Sequence, residues 1–272
     1  MKKTQRSTLA GQVAVVTGST QGIGAGIALK LAAHGARIVV HGLESQRKGG
    51  QKIAKRIESL GSEALLITAD LRDETQCRGI IPEALDRFGR LDILVNSAGM
   101  VNRATIENAS TELWDQIFAV NIRAPFVLCQ EAVRHMKRRK SGCIVNVGSG
   151  NGYCGGETLL PYSASKGALL TFTRNLSNYL TRYRIRVNQV NPGWTRTEGE
   201  RHAIAVLDGR GENWLEAAVK TRPFGRMLLP ADIANAVLFF ATNELISGAV
   251  LDYEQFPFVA RNDRTIQSVG KP

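Results

Sequence analysis

Between Ser149 and Ala168 the chain reads SGNGYCGGETLLPYSASKGA, with two tyrosines, three serines and one lysine. Tyr162 and Lys166 stand four residues apart, so on a helix they share a face. A phenol with an ordinary pKa of about 10 is a weak base near neutrality. A neighbouring ammonium favours the phenolate and lowers that value. Such a pair can exchange a proton with a substrate oxygen. The spacing also arises by chance on helix surfaces, so by itself it leaves a surface pair as the other reading. Tyr153 has no lysine at helical spacing and sits in a glycine-rich loop, which makes it pocket wall rather than reactive group.

A second stretch, TGSTQGIG, places Gly18, Gly22 and Gly24 between an apolar run and a helical one. Glycines there let the backbone approach a pyrophosphate, whose charge the helix N-terminus favours. Asp70, in ADL, is placed to accept a hydrogen bond from an adenine amino group. NSAG, Asn96 to Gly99, offers small residues that leave room for a ribose. Each piece alone is also an ordinary strand-end turn, but together they stand at successive strand ends.

These residues need elements to carry them. VAVVT, ARIVVHG, EALLITADL, LDILVNSAG, GCIVNVGS, IRVNQVNPG and GAVLDYE read as strands. Most are unbroken apolar runs, the pattern of strands covered on both faces. Helical stretches alternate with them: AGIALKLAAHG, a polar run to Leu60, TQCRGIIPEALDRFG with Pro82 inside, one long pattern from Ser110 to about Arg139, YSASKGALLTFTRNLSNYLT, and PADIANAVLFFAT with Pro in its first turn. The alternation predicts an α/β fold, a doubly wound parallel sheet with helices on both faces, in a single domain. The expected boundaries are a short basic lead over 1–8, a main domain over 9–256 and a tail over 257–272. The polar stretch 195–222 is long for a connection inside a compact domain and reads as a substrate loop.

Composition narrows the function classes. With 43% hydrophobic residues in 272 the chain can bury a large core. Its apolar runs are too short to cross a bilayer, and no apolar segment of signal-peptide type follows the basic start. Cys77, Cys129, Cys143 and Cys154 form neither a CxxC pair nor a zinc spacing, and read as reduced cytoplasmic thiols. The net charge of +11 is concentrated partly in RHMKRRK, Arg134 to Lys140, where cations suit a helix C-terminus. Charge alone would give nonspecific nucleic-acid affinity, but no aromatic interleaving or nucleic-acid motif accompanies it, so neither nucleic acid nor membrane is expected as a partner.

In the order and spacing of TGSTQGIG, ADL, NSAG, VNI, GS followed by YSASK, and NPGWTRT, the chain resembles the short-chain dehydrogenase/reductase family over roughly Leu9 to Asp252. The resemblance implies a Rossmann-like, NAD(P)-binding catalytic domain. Its nicotinamide cofactor would lie across Gly18, Ser19, Gln21, Gly22, Ile23, Gly24, Leu43, Asp70, Leu71, Asn96, Ala98, Gly99, Tyr162 and Lys166, with Pro192, Gly193, Thr195 and Thr197 beside the nicotinamide and phosphates. It also implies that Ser149 hydrogen-bonds the substrate oxygen while Tyr162 exchanges the proton, acting as general base in oxidation. Asn121, a poor helix former inside a helical pattern, can leave a backbone carbonyl free for water; the resemblance makes it the relay link behind Lys166. Two departures stand out. Ser97 replaces a usual Asn, and DYEQFP replaces a usual Asp-Gly-Gly after the last strand.

Cofactor choice is made after the second strand, where an acidic residue holds ribose hydroxyls and a basic one tolerates a 2′-phosphate. Here HGLES puts Leu43 near the deciding place and Glu44 just after it, while Gln21 replaces a basic residue common in NADP enzymes of the family. Arg47 and Lys48 are the cations that could reach a phosphate. NAD is therefore expected, with NADP as the alternative. The substrate side should be lined by Asn151, Tyr153 and Trp194, with Glu157, Arg201, His202 and Asn213 as further polar candidates. That polarity suits a small hydroxylated alcohol or ketone of sugar or polyol type. A reductase of hydrophobic or acyl-carrier-bound ketones and a noncatalytic cofactor sensor are the other readings. Family likeness implies a homotetramer or homodimer.

Overall fold

The computed structural model describes residues 8–202 and 214–256. The basic lead up to Ser7, the tail from Pro257, and Asn213 among the polar candidates lie outside the described residues. Seven strands make one sheet: β1 (Val13–Val16), β2 (Arg37–Gly42), β3 (Ala64–Thr68), β4 (Ile93–Asn96), β5 (Gly142–Val147), β6 (Ile185–Pro192) and β7 (Val250–Tyr253). Their order is β3-β2-β1-β4-β5-β6-β7, and every neighbouring pair is parallel. The chain winds outward from β1 to β3, returns beside β1 with β4, and continues to β7. That reversal opens a crevice above the carboxyl ends of β1 and β4, the place where such sheets bind ligands.

Helices cover both faces because β1, β4 and β5 are buried along their whole length. On one face pack α1 (Gly22–Ala33), α2 (Arg47–Ser59) and α9 (Pro230–Thr242), through Ile27, Leu31, Ile57, Val237 and Phe240. On the other pack α3 (Glu74–Phe88), α5 (Ala124–Arg139) and α6 (Leu160–Leu180), through Ile80, Ile81, Leu128, Met136 and Leu180. Pro82 does not break α3, which is started by the Asp73 side chain on the Thr75 and Gln76 N–H groups and closed by left-handed Gly89.

The one long helix expected from Ser110 to about Arg139 is three pieces. α4 (Thr111–Phe118) passes through a π turn over Ala119–Arg123 into α5. Asn121 sits inside that turn and is buried. Such a turn inserts a residue and is frequent at functional sites, and here it swings the Asn121 amide towards the β4 loop. The basic cluster at the end of α5 is used locally. Arg139 bonds Asp92 and the Leu91 carbonyl, and Lys137 donates to the Tyr179 hydroxyl at 3.0 Å.

Two short helices, α7 (Glu198–His202) and α8 (Trp214–Lys220), occupy the expected substrate loop on either side of residues 203–213, which are not described. No helix among the described residues is long and apolar enough to cross a membrane.

Candidate active site

The β1 end is shaped by close approach. Gly18 has φ +63°, and a Cβ there would stand 2.8 Å from the Ala98 Cα; a Cβ on Gly24 would collide with the Gly18 carbonyl. Gly22, at φ +58°, faces Thr197 across a cleft of about 370 Å³ that Arg196, Trp214 and Pro230 also line. Thr17 locks the two central strand ends together, its hydroxyl accepting from the Ser97 and Ala98 N–H groups at 3.0 Å each. The Ser19 hydroxyl is turned inward, donating to the Val16 carbonyl at 2.6 Å, and Gln21 caps α1 without a side-chain bond. A cradle that side chains would fill, at a helix N-terminus, fits a dinucleotide pyrophosphate.

His41 was not singled out by the sequence reading. It is buried, accepts from the Gly18 N–H through Nδ1 at 3.2 Å, and faces the Ala69 carbonyl through Nε2 at 3.2 Å. Those partners require the neutral Nε2–H form, and burial pushes its pKa down to about 4. A histidine ending an apolar strand was the available signal. It ties the glycine turn to the ends of β2 and β3.

At the deciding place after β2, Gly42 presents no side chain and Leu43 is exposed. The Glu44 carboxylate pairs with Arg47 at 2.5 Å and accepts from Thr68 at 2.7 Å; Arg47 also donates to Thr68 at 2.9 Å. Arg47 and Thr68 together hold the Glu44 pKa down to about 2. Asp70 is held by Arg72 at 2.6 Å, which lowers its pKa. Leu71 is buried in the core, while Ile23 packs against the core and keeps part of its side chain accessible. The Asn96 side chain is also turned away from the crevice, donating to Asn146 at 2.8 Å. What it offers a cofactor is backbone.

Ser149, Tyr162 and Lys166 do come together. Ser149 ends β5 and its hydroxyl accepts from the Asn151 N–H at 3.1 Å. It also lies at the Tyr162 phenol, where it opposes the upward pull of burial and of the Glu200 charge. The phenol pKa is raised on balance, so the resting group is a protonated acid. That differs from the lowering by Lys166 expected from sequence. The reason is geometric: Lys166 Nζ donates to the Val147 carbonyl at 2.8 Å and lies 5.7 Å from the Tyr162 ring centre. Lys166 is buried, and desolvation lowers its pKa to about 8.

Asn121 spends its amide on structure. Its oxygen accepts from the Met100 N–H at 2.8 Å, and its nitrogen donates to the Met100 carbonyl and the Ser165 hydroxyl, both at 2.9 Å. Ser165 in turn donates to the Tyr162 carbonyl at 2.7 Å. The amide thus clamps the loop after β4 to the reactive helix, and any relay to Lys166 must use the Asn121 backbone. Gly99 lies between them, with the Lys166 Nζ and Asn121 Oδ1 each within 3.7 Å of where its Cβ would be.

The side chains expected to line the substrate side come from distant segments. Tyr153 donates to Asp252 at 3.0 Å and accepts from Asn191 at 3.3 Å. Behind it a buried polar chain runs across the sheet, from Asn191 to Gln189, Thr173, Asn146 and Asn96. Trp194 follows β6. Its backbone N–H donates to Glu254 at 3.1 Å, its indole N–H donates to Glu200 at 2.6 Å, and Arg222 lies over its ring at 5.3 Å. The Thr195 hydroxyl donates to the Gly193 carbonyl and Thr197 accepts from the Glu200 N–H, each local to the loop. Of the further polar candidates, Glu157 is exposed and Arg201 is exposed and paired with Glu198 at 3.1 Å. Nothing is described of the His202 side chain. No metal-holding cluster exists among the described residues.

Sequence and structure comparisons agree on one group of proteins. The family model described as short chain dehydrogenase matches residues 12–205. An uncharacterised oxidoreductase of Methylorubrum extorquens is 37% identical, covering 90% of this chain and 97% of its own. A versicolorin reductase of Emericella nidulans is 34% identical, covering 92% of this chain and 97% of its own. A short chain dehydrogenase of Burkholderia cenocepacia, solved in complex with NADP, superposes with a TM-score of 0.81 at 31% identity, covering 91% of this chain and 98% of its own.

Proposed function

The chain belongs to the short-chain dehydrogenase family and is a nicotinamide-dependent oxidoreductase, and from that premise we propose that it interconverts a secondary alcohol and a carbonyl on a small hydroxylated substrate of sugar or polyol type, with Tyr162 as the acid–base group. The observation that carries this reading is the convergence of Ser149, Tyr162 and buried Lys166 beside the glycine cradle.

The bound cofactor supplies hydride in reduction and takes it up in oxidation. Gly18, Gly22, Gly24, Ala98, Gly99 and the Thr195–Thr197 loop would hold it. Ser149 donates a hydrogen bond to the carbonyl oxygen and orients it. Tyr162 delivers its phenolic proton to that oxygen as negative charge develops there, leaving the hydroxyl of the alcohol. Lys166, as ammonium, stabilises the phenolate left behind. Oxidation runs the same proton path backwards, with phenolate as base. The raised phenol pKa keeps Tyr162 protonated near neutrality, the form that reduction requires.

NAD is the cofactor that Glu44 supports, as the first acidic residue after β2. A second reading, NADP, is favoured by Arg47 in the same cluster and by the NADP complex of the Burkholderia relative. The exposed aromatic rings of Phe126 and Tyr179 on α5 and α6 support self-association as a homodimer or homotetramer. Cysteines that form no disulfide among the described residues support a cytoplasmic setting.

The test is hydride transfer, followed at the absorbance of reduced nicotinamide, over a panel of sugars, polyols and apolar ketones with each cofactor. Turnover of the hydroxylated members is expected. Activity confined to apolar ketones would refute the substrate class, and no hydride transfer with any member would favour a cofactor sensor.

A further inference from the structure

DYEQFP, which departs from the family pattern, has a structural use. Glu254 is buried, and its carboxylate accepts from the Trp194 N–H at 3.1 Å and the Gln255 N–H at 2.7 Å. It fills the space beside Gly193, where any Cβ would strike it. Arg222 stands 3.8 Å from the same carboxylate and lies over both the Trp194 and Phe256 rings, at 5.3 and 5.1 Å. Backbone and ring of Trp194 are therefore both fixed from behind.

The indole N–H points at Glu200, 2.6 Å away. Glu200 is half-buried on α7 and makes no ion pair among the described residues. The nearby cations are engaged elsewhere: Arg201 with Glu198, and Arg222 with Glu254. A carboxylate has about four acceptor positions, and the indole takes one. It stands on the loop whose Thr197 faces Gly22 of the glycine cradle, its own N–H donating to the Thr197 hydroxyl at 3.0 Å, and its charge acts on the Tyr162 phenol. In a chain of net charge +11 a fixed negative group therefore stands near the reactive centre.

We infer that Glu200, held by the Trp194 indole, is the substrate-recognising carboxylate of this site, and that the substrate presents to it a hydroxyl or ammonium rather than an anionic group. A substrate filling the pocket strips water from Glu200, which is costly unless the substrate replaces the lost hydrogen bonds. An anion there adds like-charge repulsion, a discrimination against the wrong partner as well as for the right one. The inference rests on the reading of Tyr162 as the acid–base group, and it specifies what that reading leaves open.

The test uses three cyclohexanones that carry a tertiary hydroxyl, which has no hydride to give, a methyl or a carboxylate opposite the carbonyl. Each is titrated into full-length protein saturated with oxidised cofactor, and binding is read by tryptophan fluorescence. Ketone and oxidised cofactor cannot react, so affinity is measured without turnover. The wild type should hold the hydroxy ketone about tenfold or more tighter than the carboxylate, the size expected for one charge-assisted hydrogen bond. Glu200→Gln should bring that ratio to within about twofold, since it removes the charge and keeps the shape. Equal affinity of the wild type for the hydroxy and carboxylate ketones, or for the hydroxy and methyl ketones, overturns the inference. So does an unchanged ratio in Glu200→Gln. Absence of reduction with reduced cofactor, when the affinity pattern is present, overturns the oxidoreductase chemistry instead.

Discussion

At the ends of β1 and β4 the crevice is formed where side chains are missing; after β6 and β7 it is formed by long side chains that grip one another. Gly18, Gly22 and Gly24 admit a ligand because Cβ atoms would meet Ala98, Thr197 and the Gly18 carbonyl. Trp194, Glu200, Arg222, Glu254, Tyr153 and Asp252 instead hold one another through contacts between residues up to 99 positions apart. The first kind of site serves a ligand common to many proteins. The second can be re-cut by single substitutions without disturbing the first. Cofactor and substrate functions should therefore separate under mutation, and each experiment below pushes on one side of that divide.

The largest effect is expected in the backbone-built half. Gly24→Val drives a branched side chain into the Gly18 carbonyl, and cofactor affinity should fall by about hundredfold or more, the scale of a severe overpacking. Fluorescence titration with reduced cofactor measures it, and circular dichroism checks that the fold persists. Retained affinity would mean that the glycine turn does not hold the cofactor.

Lys166→Met is next. Turnover should drop by roughly thousandfold, within the range for a lost acid–base partner. Stability should move the other way. Lys166 has a folded pKa of about 8 against an ordinary 10.5, so the folded state resists its charge. Below about pH 8 the lysine costs up to about 3 kcal/mol, and as pH rises towards 10.5 the unfolded chain binds the extra proton and that cost fades. Urea unfolding should show the variant more stable at pH 7, with the gap closing at alkaline pH. A variant less stable at pH 7 would contradict the desolvation account.

On the side-chain half, Glu254→Ala leaves Arg222 without its carboxylate and the Trp194 N–H without its acceptor. A loss of about 2 kcal/mol in urea unfolding is expected for a broken buried pair. Substrate KM should rise by more than kcat falls, with cofactor affinity unchanged. A weakened cofactor would break the proposed separation. The smallest effect is at the rim. Glu44→Gln should shift the NAD-to-NADP ratio of kcat/KM towards NADP by about a few-fold, and Arg47→Ala should shift it towards NAD, both less so in high salt because the pair is exposed.

The same divide governs what the sequence discloses. The glycine turn, the apolar strand runs and the Tyr162–Lys166 spacing are local patterns, and each could be read from a short stretch of residues. The π turn at Asn121 was half visible, as a poor helix former in a helical run, but its effect on register depends on packing against Met100 and Ser165. His41 was hidden because an imidazole in an apolar strand has several ordinary explanations. Glu200 and Glu254 gave no signal, since their roles depend on Trp194 and Arg222 arriving from other segments. The pKa of Tyr162 went in the opposite direction from the sequence argument because four-residue spacing fixes a shared face, not the direction in which an ammonium points.

The most direct measurement compares Tyr162→Phe with Tyr153→Phe, each assayed for hydride transfer and for cofactor affinity. Tyr162→Phe should lower turnover by about a thousandfold or more while leaving cofactor affinity within about twofold, because it removes one proton and little surface. Tyr153→Phe loses its bond to Asp252 and should retain most turnover. Full activity in Tyr162→Phe, or loss of activity in Tyr153→Phe alone, would contradict the assignment of the acid–base group.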